Sequence, residues 1–198
     1  MKRAIFLDRD GVINGMVYNS DFGLVDSPAN PDEFSLLPGV TAAIKKINAL
    51  GLLAIVISNQ PGVAKGRFSI GLLASTTERM HQTLHNEGAH LDGVYYCLHH
   101  PKALLDEFRQ ECNCRKPKPG LLVQAASDWN IDLPGSFLIG DGITDIAAGQ
   151  AVGATCFFVG SRKEYILEEF EKQGTFPQYF VKDLLEAVQI IGNFEDLH

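Results

Sequence analysis

The length, composition and charge of the chain exclude several kinds of protein. Its 198 residues, of which 45% are hydrophobic, predict one domain, residues 1–198, with a single large core. The net charge of −7 and the pI near 5.3 argue against a nucleic-acid partner, because no positive surface is available to follow a phosphate backbone.

Neither a membrane span nor an export signal is visible in the sequence. No apolar stretch approaches the ~20 residues of a membrane span, and the apolar run near the start is far shorter than the core of a signal peptide. We therefore expect a soluble, cytoplasmic monomer with no membrane partner.

Short apolar runs alternate along the chain with amphipathic segments. The runs predict strands at residues 4–7, 52–57, 93–97, 136–139 and 155–159, and the segments between them predict helices at 38–51, 69–88, 118–130 and 144–153. After residue 161 we expect a helix at 163–173, a short strand at 179–181 and a last helix at 183–191, as edge structure. This order predicts an α/β fold with a doubly wound, Rossmann-like parallel sheet covered on both faces.

Polar residues follow three of the predicted strands directly. They are Asp8 and Asp10 after the first strand, Ser58, Asn59 and Gln60 after the second, and Asp141 after the fourth. Ligands of doubly wound sheets bind at the carboxyl ends of the strands, so these side chains are expected to form one site.

Two acidic residues at the end of the first strand indicate a metal site. Asp8 and Asp10 are two residues apart, so in extended geometry their side chains leave on the same side. If Asp141 joins them, three carboxylates converge and need a cation, most simply Mg²⁺ with its preference for oxygen ligands. On its own, an acidic pair at a strand end is also typical of a turn or a helix cap.

Lys116 and Asp145 are further candidates. Lys116 lies between residues that stiffen its loop, Pro117 and Pro119, and such a loop would hold an ammonium group in place for a phosphate. The alternative is a solvated surface lysine. Asp145 either orients Lys116 or a metal-bound water, or is a helix N-terminal charge favoured by the helix dipole.

Cysteine and histidine cluster between residues 97 and 114. The set Cys97, His99, Cys112 and Cys114 predicts a closed, tetrahedral, structural Zn²⁺ site that fixes this loop and the adjoining Lys116. Open alternatives are His100 in place of His99, a redox pair of Cys112 and Cys114, or a buried thiol beside surface histidines.

Four motifs in order resemble the haloacid dehalogenase-like (HAD) hydrolases. They are an apolar strand before DRDGVIN, another before SNQ, the loop RKPKPG, and a third strand before GDGITD. The resemblance implies a Mg²⁺-dependent phosphatase in which Asp8 attacks phosphorus and Asp10 serves as acid and then base. It also implies that Ser58 and Lys116 stabilise the phosphoryl group, and that Mg²⁺ is bound by the Asp8 and Asp141 carboxylates and the Asp10 backbone carbonyl.

The segments YYCLHHP and CNCRKPKPG resemble the zinc-containing branch of that family, which acts on heptose bisphosphates or histidinol phosphate. This likeness implies a small phosphorylated metabolite as partner, with Arg115, Asn59 and Gln60 as substrate contacts. A heptose 1,7-bisphosphate that loses its 7-phosphate, on the way to lipopolysaccharide, fits best. Histidinol phosphate or another small sugar phosphate is the alternative.

Two features depart from the pattern of that branch. Gly142 stands where many relatives have a lysine, and residues 14–34, the flap, are longer than the usual substrate loop. No space exists for a large cap domain, so we expect an open site closed by the flap, the loop 62–68 and the zinc loop 97–114. Lys65 and Arg67 are candidates for binding a second phosphate, or are solvated surface charges.

Overall fold

The computed structural model of the protein describes residues 1–20 and 22–195. Position 21 of the predicted flap and residues 196–198 of the predicted domain lie outside the described residues. The strands are β1 (Ala4–Leu7), β2 (Val17–Asn19), β3 (Leu24–Asp26), β4 (Leu53–Asn59), β5 (Gly93–Cys97), β6 (Phe137–Gly140), β7 (Thr155–Val159) and β8 (Tyr179–Val181). The helices are α1 (Val40–Ala49), α2 (Pro61–Ala64), α3 (Ile70–Asn86), α4 (Gly120–Trp129), α5 (Ile143–Gln150), α6 (Glu164–Gln173) and α7 (Leu184–Glu195).

Six strands form one parallel sheet in the order β5-β4-β1-β6-β7-β8. The predicted doubly wound sheet is therefore confirmed, and every predicted strand is present within two residues of its expected bounds. From β1 the chain winds outward through β4 and β5, and then crosses to β6 on the other side of β1. The carboxyl ends of β1, β4 and β6 thus meet near the point where the winding reverses, which is the usual ligand position in such sheets.

The two faces of the sheet bury separate hydrophobic cores, so the expected single core is wrong. In β1, Ile5 and Leu7 face one core and Phe6 faces the other, as the alternation of side chains along a strand requires. Helices α1, α3 and α7 cover the first face, and α4, α5 and α6 cover the second. Complete burial of an aliphatic side chain of this size contributes roughly 1.5–3 kcal/mol, so both layers fix the strand ends firmly.

Several short elements were not predicted. Strands β2 and β3 pair as an antiparallel hairpin inside the flap, and the four-residue helix α2 follows β4. The hairpin strands are three residues long and only partly buried, so their sequence lacks the continuous apolar signal of the central strands. Between β1 and β4 the described chain contains only this hairpin, a 3₁₀ turn at Pro31–Glu33 and α1, in agreement with the expected lack of a large cap.

None of the helices in the described part of the chain is both long enough and apolar enough to cross a membrane.

Candidate active site

A cleft of about 260 Å³ opens at the carboxyl ends of β1, β4 and β6. Its lining includes Asp8 after β1, Ser58 and Asn59 at the end of β4, Asp141 after β6, and Lys116 from the loop before α4. The flap contributes Met16, Asp26 and Ser27 to the same cleft. The sheet thus brings the strand-end residues of the sequence together, and the hairpin in the flap forms one wall.

Three carboxylates lie at the base of the cleft. Oxygens of Asp8, Asp141 and Asp145 are all within 4.8 Å of one another. The expected trio of carboxylates is therefore wrong in one member, because Asp145 takes the place of Asp10, whose side chain is bound elsewhere. Whether the Asp10 carbonyl is a metal ligand stays a prediction.

The electrostatics of this cluster favour a bound cation. Burial, with the nearby charges of Asp8 and Asp145, raises the pKa of Asp141 to about 7. Burial also raises the pKa of Asp8 to about 6, against the opposing effect of Lys116. Two carboxyl groups that resist ionisation near neutral pH, with oxygens close enough to share one ion, fit a hard divalent cation such as Mg²⁺.

Gly11 makes room for this cluster. Its φ of +86° lies in the left-handed region, and a Cβ built on it would stand 2.0 Å from Oδ2 of Asp141. A side chain at position 11 would therefore displace the Asp141 carboxylate, which explains why glycine follows the two aspartates.

Lys116 is the central cation of the site. Its side chain is only 3% exposed, and its Nζ donates to Asp8 Oδ1 at 2.8 Å and to the carbonyl of Ile57 at 2.9 Å. It also forms an ion pair with Asp145. Burial lowers the pKa of Lys116, but the carboxylates of Asp145 and Asp8 outweigh this effect and raise it above its usual value. The alternative of a solvated surface lysine is excluded.

Asp145 pairs with Lys116 and also lies at the N-terminus of a helix, so it fills two of the roles that the sequence left open. One carboxylate oxygen pairs with Lys116, while Oδ2 accepts a hydrogen bond from the backbone N–H of Gly142 at 2.9 Å, at the start of α5. A Cβ built on Gly142 would lie 2.8 Å from Asp145 Oδ2. The unusual glycine at this position therefore packs closely against the partner of Lys116.

The Asp10 carboxylate is held by a network of donors that the sequence did not reveal. Asn14 Nδ2 donates to Oδ1 at 2.9 Å, Ser27 Oγ donates to Oδ2 at 2.8 Å and Gln60 Nε2 donates to Oδ2 at 2.7 Å. The buried guanidinium of Arg9 also donates to it. The sequence shows that Arg9 lies between the two aspartates after β1, but it does not show that this charged side chain is buried.

The expectation that Gln60 contacts the substrate is wrong. Gln60 has no exposed surface, and its side chain is occupied by Asp10, Arg9 and Ser58. Ser58 Oγ accepts from Gln60 Nε2 at 3.1 Å, which leaves the serine hydroxyl hydrogen free to point into the cleft.

Asn59 lines the cleft, but both ends of its amide bind the backbone of Lys116. Its Oδ1 accepts from the Lys116 N–H at 3.1 Å, and its Nδ2 donates to the Lys116 carbonyl at 3.1 Å. A direct substrate contact by this side chain therefore stays a prediction, whereas its contact with the lysine loop is present.

The predicted zinc ligands converge. The Sγ atoms of Cys97, Cys112 and Cys114 are 3.2 to 3.5 Å apart, and His99 Nδ1 lies 3.3 Å from Cys114 Sγ. These separations are too long for a disulfide, whose sulfur atoms are about 2.0 Å apart, and suit three thiolates and one imidazole around a single ion. Hydrogen bonds from the neighbouring thiols of Cys114 and Cys97 overcome the effect of burial and lower the pKa of Cys112 to about 7.

Three basic side chains, Lys65, His100 and Arg115, lie close enough to affect one another electrostatically, and we call them the basic patch. Burial and the positive charges of Arg67 and Arg115 lower the pKa of Lys65, and burial with Arg115 and Lys65 lowers the pKa of His100. The positive charges of Lys65 and Arg115 are thus close enough to affect each other and His100. Arg67 differs from them because it forms an ion pair with Asp26 of the flap.

Comparison with known proteins agrees with the motifs. Residues 113–187 match a family profile described as HAD-hydrolase-like. The chain is 37% identical to the D-glycero-beta-D-manno-heptose-1,7-bisphosphate 7-phosphatase of Pasteurella multocida, over 96% of this chain and 98% of that protein. It is 40% identical to the protein of the same name from Salmonella typhi, over 94% of this chain and 95% of that protein.

Among solved structures, the chain is similar to the D,D-heptose 1,7-bisphosphate phosphatase of B. bronchiseptica, which was crystallised with magnesium and phosphate. The TM-score is 0.78 and the identity 29%, over 98% of this chain and 99% of that one. Fold and sequence therefore point to the same group of enzymes.

Proposed function

Because the chain belongs to the haloacid dehalogenase-like hydrolases, in the branch that contains the D-glycero-beta-D-manno-heptose-1,7-bisphosphate 7-phosphatases, we propose that it removes the 7-phosphate of that bisphosphate. The observation that carries the proposal is the Asp8 carboxylate in the cleft, paired with buried Lys116 and within reach of Asp141. The product would be a heptose 1-phosphate for lipopolysaccharide synthesis.

Asp8 is the proposed nucleophile. One of its carboxylate oxygens forms a bond with phosphorus while the bond from phosphorus to the sugar oxygen breaks, and the electron pair leaves on that oxygen. Lys116 and the Ser58 hydroxyl, which both line the cleft, would stabilise the charge of the transferring phosphoryl group. A carboxylate needs no base to activate it, so no further residue is required at this step.

Asp10 is the proposed acid and base. Asp10 lines the cleft, and its protonated carboxyl group would give a proton to the leaving sugar oxygen, then accept a proton from the water that attacks the phosphorylated Asp8. Attack of that water releases inorganic phosphate and restores the Asp8 carboxylate.

We propose Mg²⁺ as the catalytic cofactor and Zn²⁺ as a structural one. Asp8, Asp141 and the Asp10 carbonyl would hold Mg²⁺, which supplies positive charge to the carboxylates and the incoming phosphate. Cys97, His99, Cys112 and Cys114 would hold Zn²⁺ in a site with no open position. The zinc loop runs directly into Arg115 and Lys116, so it would keep the lysine loop in place.

A second phosphate on the substrate suits the basic patch. Lys65 and Arg115 lie close together beside His100, and a phosphate would relieve the repulsion between these two cations. Histidinol phosphate carries an amine in place of a second phosphate, so this surface disfavours it. Arg67 is less suited than Lys65 to bind the substrate, since it pairs with Asp26.

The decisive experiment compares kcat/KM for both anomers of D-glycero-D-manno-heptose 1,7-bisphosphate, histidinol phosphate and fructose 1,6-bisphosphate. We expect a clear preference for one heptose anomer and release of the phosphate from carbon 7. A flat profile, or a preference for histidinol phosphate, would contradict the proposed substrate. The Asp8→Asn variant should be inactive on every compound, and full activity in it would contradict the proposed nucleophile.

The cytoplasmic location and monomeric state belong to the same proposal. All four cysteines of the chain are free, which suits a reducing compartment. Size-exclusion chromatography with light scattering measures the molar mass in solution. The mass of a dimer would contradict the proposed monomer.

A further inference from the structure

The side chain of Arg9 is fully buried directly behind the cleft, and none of the roles above uses it. Its guanidinium meets the Asp10 carboxylate with two nitrogens. Nε donates to Oδ1 at 3.2 Å, and Nη2 donates to Oδ1 at 3.1 Å and to Oδ2 at 3.3 Å. Asp10 is only 9% exposed, yet it still contributes to the lining of the cleft. One edge of its carboxylate therefore faces Arg9 inside the protein.

Gln60 completes the contact into a triangle. Its Oε1 accepts from Arg9 Nη2 at 3.1 Å, and its Nε2 donates to Asp10 Oδ2 at 2.7 Å. One amide thus orients both partners of the ion pair and also touches Ser58. Arg9 and Gln60 together form what we term the Asp10 brace.

The Asp10 brace is itself fixed by packing. The guanidinium of Arg9 lies over the ring of Tyr96 in β5, 5.5 Å from its centroid, and the Tyr96 hydroxyl is 2.9 Å from Thr77 Oγ1 in α3. Contacts with β5, which α3 supports through Thr77, therefore restrict the arginine. A planar guanidinium held in this way imposes one orientation on the carboxylate that it meets.

We propose that Arg9 and Gln60 are positioning residues for the acid step, because together they hold the Asp10 carboxyl group in the orientation from which its protonated form reaches the leaving oxygen. Asn14 and Ser27 also donate to Asp10, but Arg9 and Gln60 supply four of the six hydrogen bonds to its carboxylate. Without these four, we expect the Asp10 side chain to move among its staggered χ1 states. The inference rests on the acid role proposed for Asp10. It differs from mere compensation of a buried charge, which any cation at position 9 would supply.

Substrates with different leaving groups distinguish orientation of Asp10 from simple compensation of its buried charge. An alkoxide leaving from a sugar phosphate needs a proton, whereas p-nitrophenolate leaves without one. Loss of orientation at Asp10 should therefore slow phosphorylation of Asp8 by an alkyl phosphate and not by p-nitrophenyl phosphate. Rapid-quench measurement of phosphoenzyme formation isolates this step from the later hydrolysis. Fructose 1,6-bisphosphate serves as the alkyl probe, so the ratio is measurable even if the heptose preference fails.

Two variants test the Asp10 brace. Arg9→Lys keeps the charge but lacks the planar fork, and Gln60→Met keeps the approximate volume but removes the amide. For each, we expect the alkyl phosphorylation rate to fall about 10- to 100-fold, as a part of the ~10²–10⁴ that general acid catalysis contributes. The aryl rate should change less than about threefold in Arg9→Lys. In Gln60→Met the aryl rate should fall less than the alkyl rate, because this variant also loses the hydrogen bond to Ser58. If Arg9→Lys does not fold, Gln60→Met carries the test alone.

Ser136→Ala is the control matched for lost stability. Ser136 is also fully buried and binds backbone groups of Ala4 and Asp132, at the opposite end of the sheet. The melting temperature of the Ser136→Ala variant should fall, but its ratio of alkyl to aryl phosphorylation rates should equal that of the wild type. The inference is overturned if Arg9→Lys or Gln60→Met lowers both rates equally, or lowers neither.

Discussion

The amide side chain of Asn59 binds the backbone of Lys116 at two points, as a neighbouring strand would. Its Oδ1 accepts from the lysine N–H and its Nδ2 donates to the lysine carbonyl, both at 3.1 Å. The end of β4 thereby fixes the loop that carries the central cation of the cleft. The ammonium group then reaches Asp8 at 2.8 Å.

Asn59→Ala should lower kcat about 10- to 100-fold, because displacement of a catalytic group by about 1 Å can cost ~10²-fold. Asn48 offers a matched control, since it makes the same two hydrogen bonds, also at 3.1 Å, with the backbone of His90. Asn48→Ala removes the same interaction away from the cleft and should leave kcat unchanged. Steady-state kinetics with thermal unfolding of both variants provides the check. Equal activity in the two variants would refute a role for Asn59 in placing Lys116.

Gly11→Ala should abolish most of the stabilisation by Mg²⁺. The new methyl group would lie 2.0 Å from Asp141 Oδ2 and push the carboxylate away from Asp8. The measurement is the rise in melting temperature on addition of Mg²⁺.

Gly51→Ala is the control for backbone strain. Gly51 has a similar positive φ of +69°, but none of the described heavy atoms lies within 4 Å of its added Cβ. Both substitutions cost roughly 1–2 kcal/mol for the left-handed conformation, but only Gly11→Ala should lose the response to Mg²⁺. A normal Mg²⁺ response in Gly11→Ala would show that Asp141 is not a ligand.

The sheet and the positions of the motifs were predictable because central parallel strands are buried on both faces. Their sequences are continuous apolar runs, and the polar residue after each run marks the edge of the sheet. Asp8, Ser58 and Asp141 could therefore be assigned to one site without coordinates. The cysteine and histidine cluster was equally clear, since few other patterns place such ligands so close in sequence.

The contacts between the predicted residues were not predictable. Gln60 follows β4 just as Ser58 and Asn59 do, yet its side chain turns inward to Asp10, and no pattern of spacing distinguishes these outcomes. The contact of Ser27 with Asp10 depends on how the flap hairpin folds back, and its short, partly buried strands give little periodic signal.

Purified protein should contain one zinc ion per chain, bound by the cluster that includes Cys112. Cys112→Ser should lose that zinc and, because the zinc loop leads into Lys116, should lower both the melting temperature and kcat. Elemental analysis and calorimetry, with Mg²⁺ in excess during the assay, measure these effects. Cys156→Ala is the control, because Cys156 is also fully buried but is not one of the four clustered ligands, and its Sγ donates instead to the carbonyls of Ile146 and Ala154. This variant should keep its zinc. A zinc-free wild type with normal stability would contradict the site.

Stabilisation by Mg²⁺ should increase with pH between about 5.5 and 8. In the metal-free protein the pKa of Asp141 is raised to about 7 and that of Asp8 to about 6, from 3.8. Between pH 4 and 7 the folded protein thus keeps protons that the unfolded chain has lost, so these groups reduce stability as the pH rises. Mg²⁺ competes with those protons, and its effect on the melting temperature should be small at pH 5.5 and largest at pH 8.

Asp141→Asn tests the assignment of this pH dependence. The amide cannot ionise, so the metal-free variant should lose less stability than wild type between pH 5.5 and 8, and Mg²⁺ should stabilise it little at either pH. Thermal unfolding of both proteins, with and without Mg²⁺ and at pH 5.5 and 8, gives the eight melting temperatures that are needed. A wild-type Mg²⁺ effect that is equal at the two pH values would mean that the ion does not compete with protons of these carboxylates, and hence that it binds elsewhere.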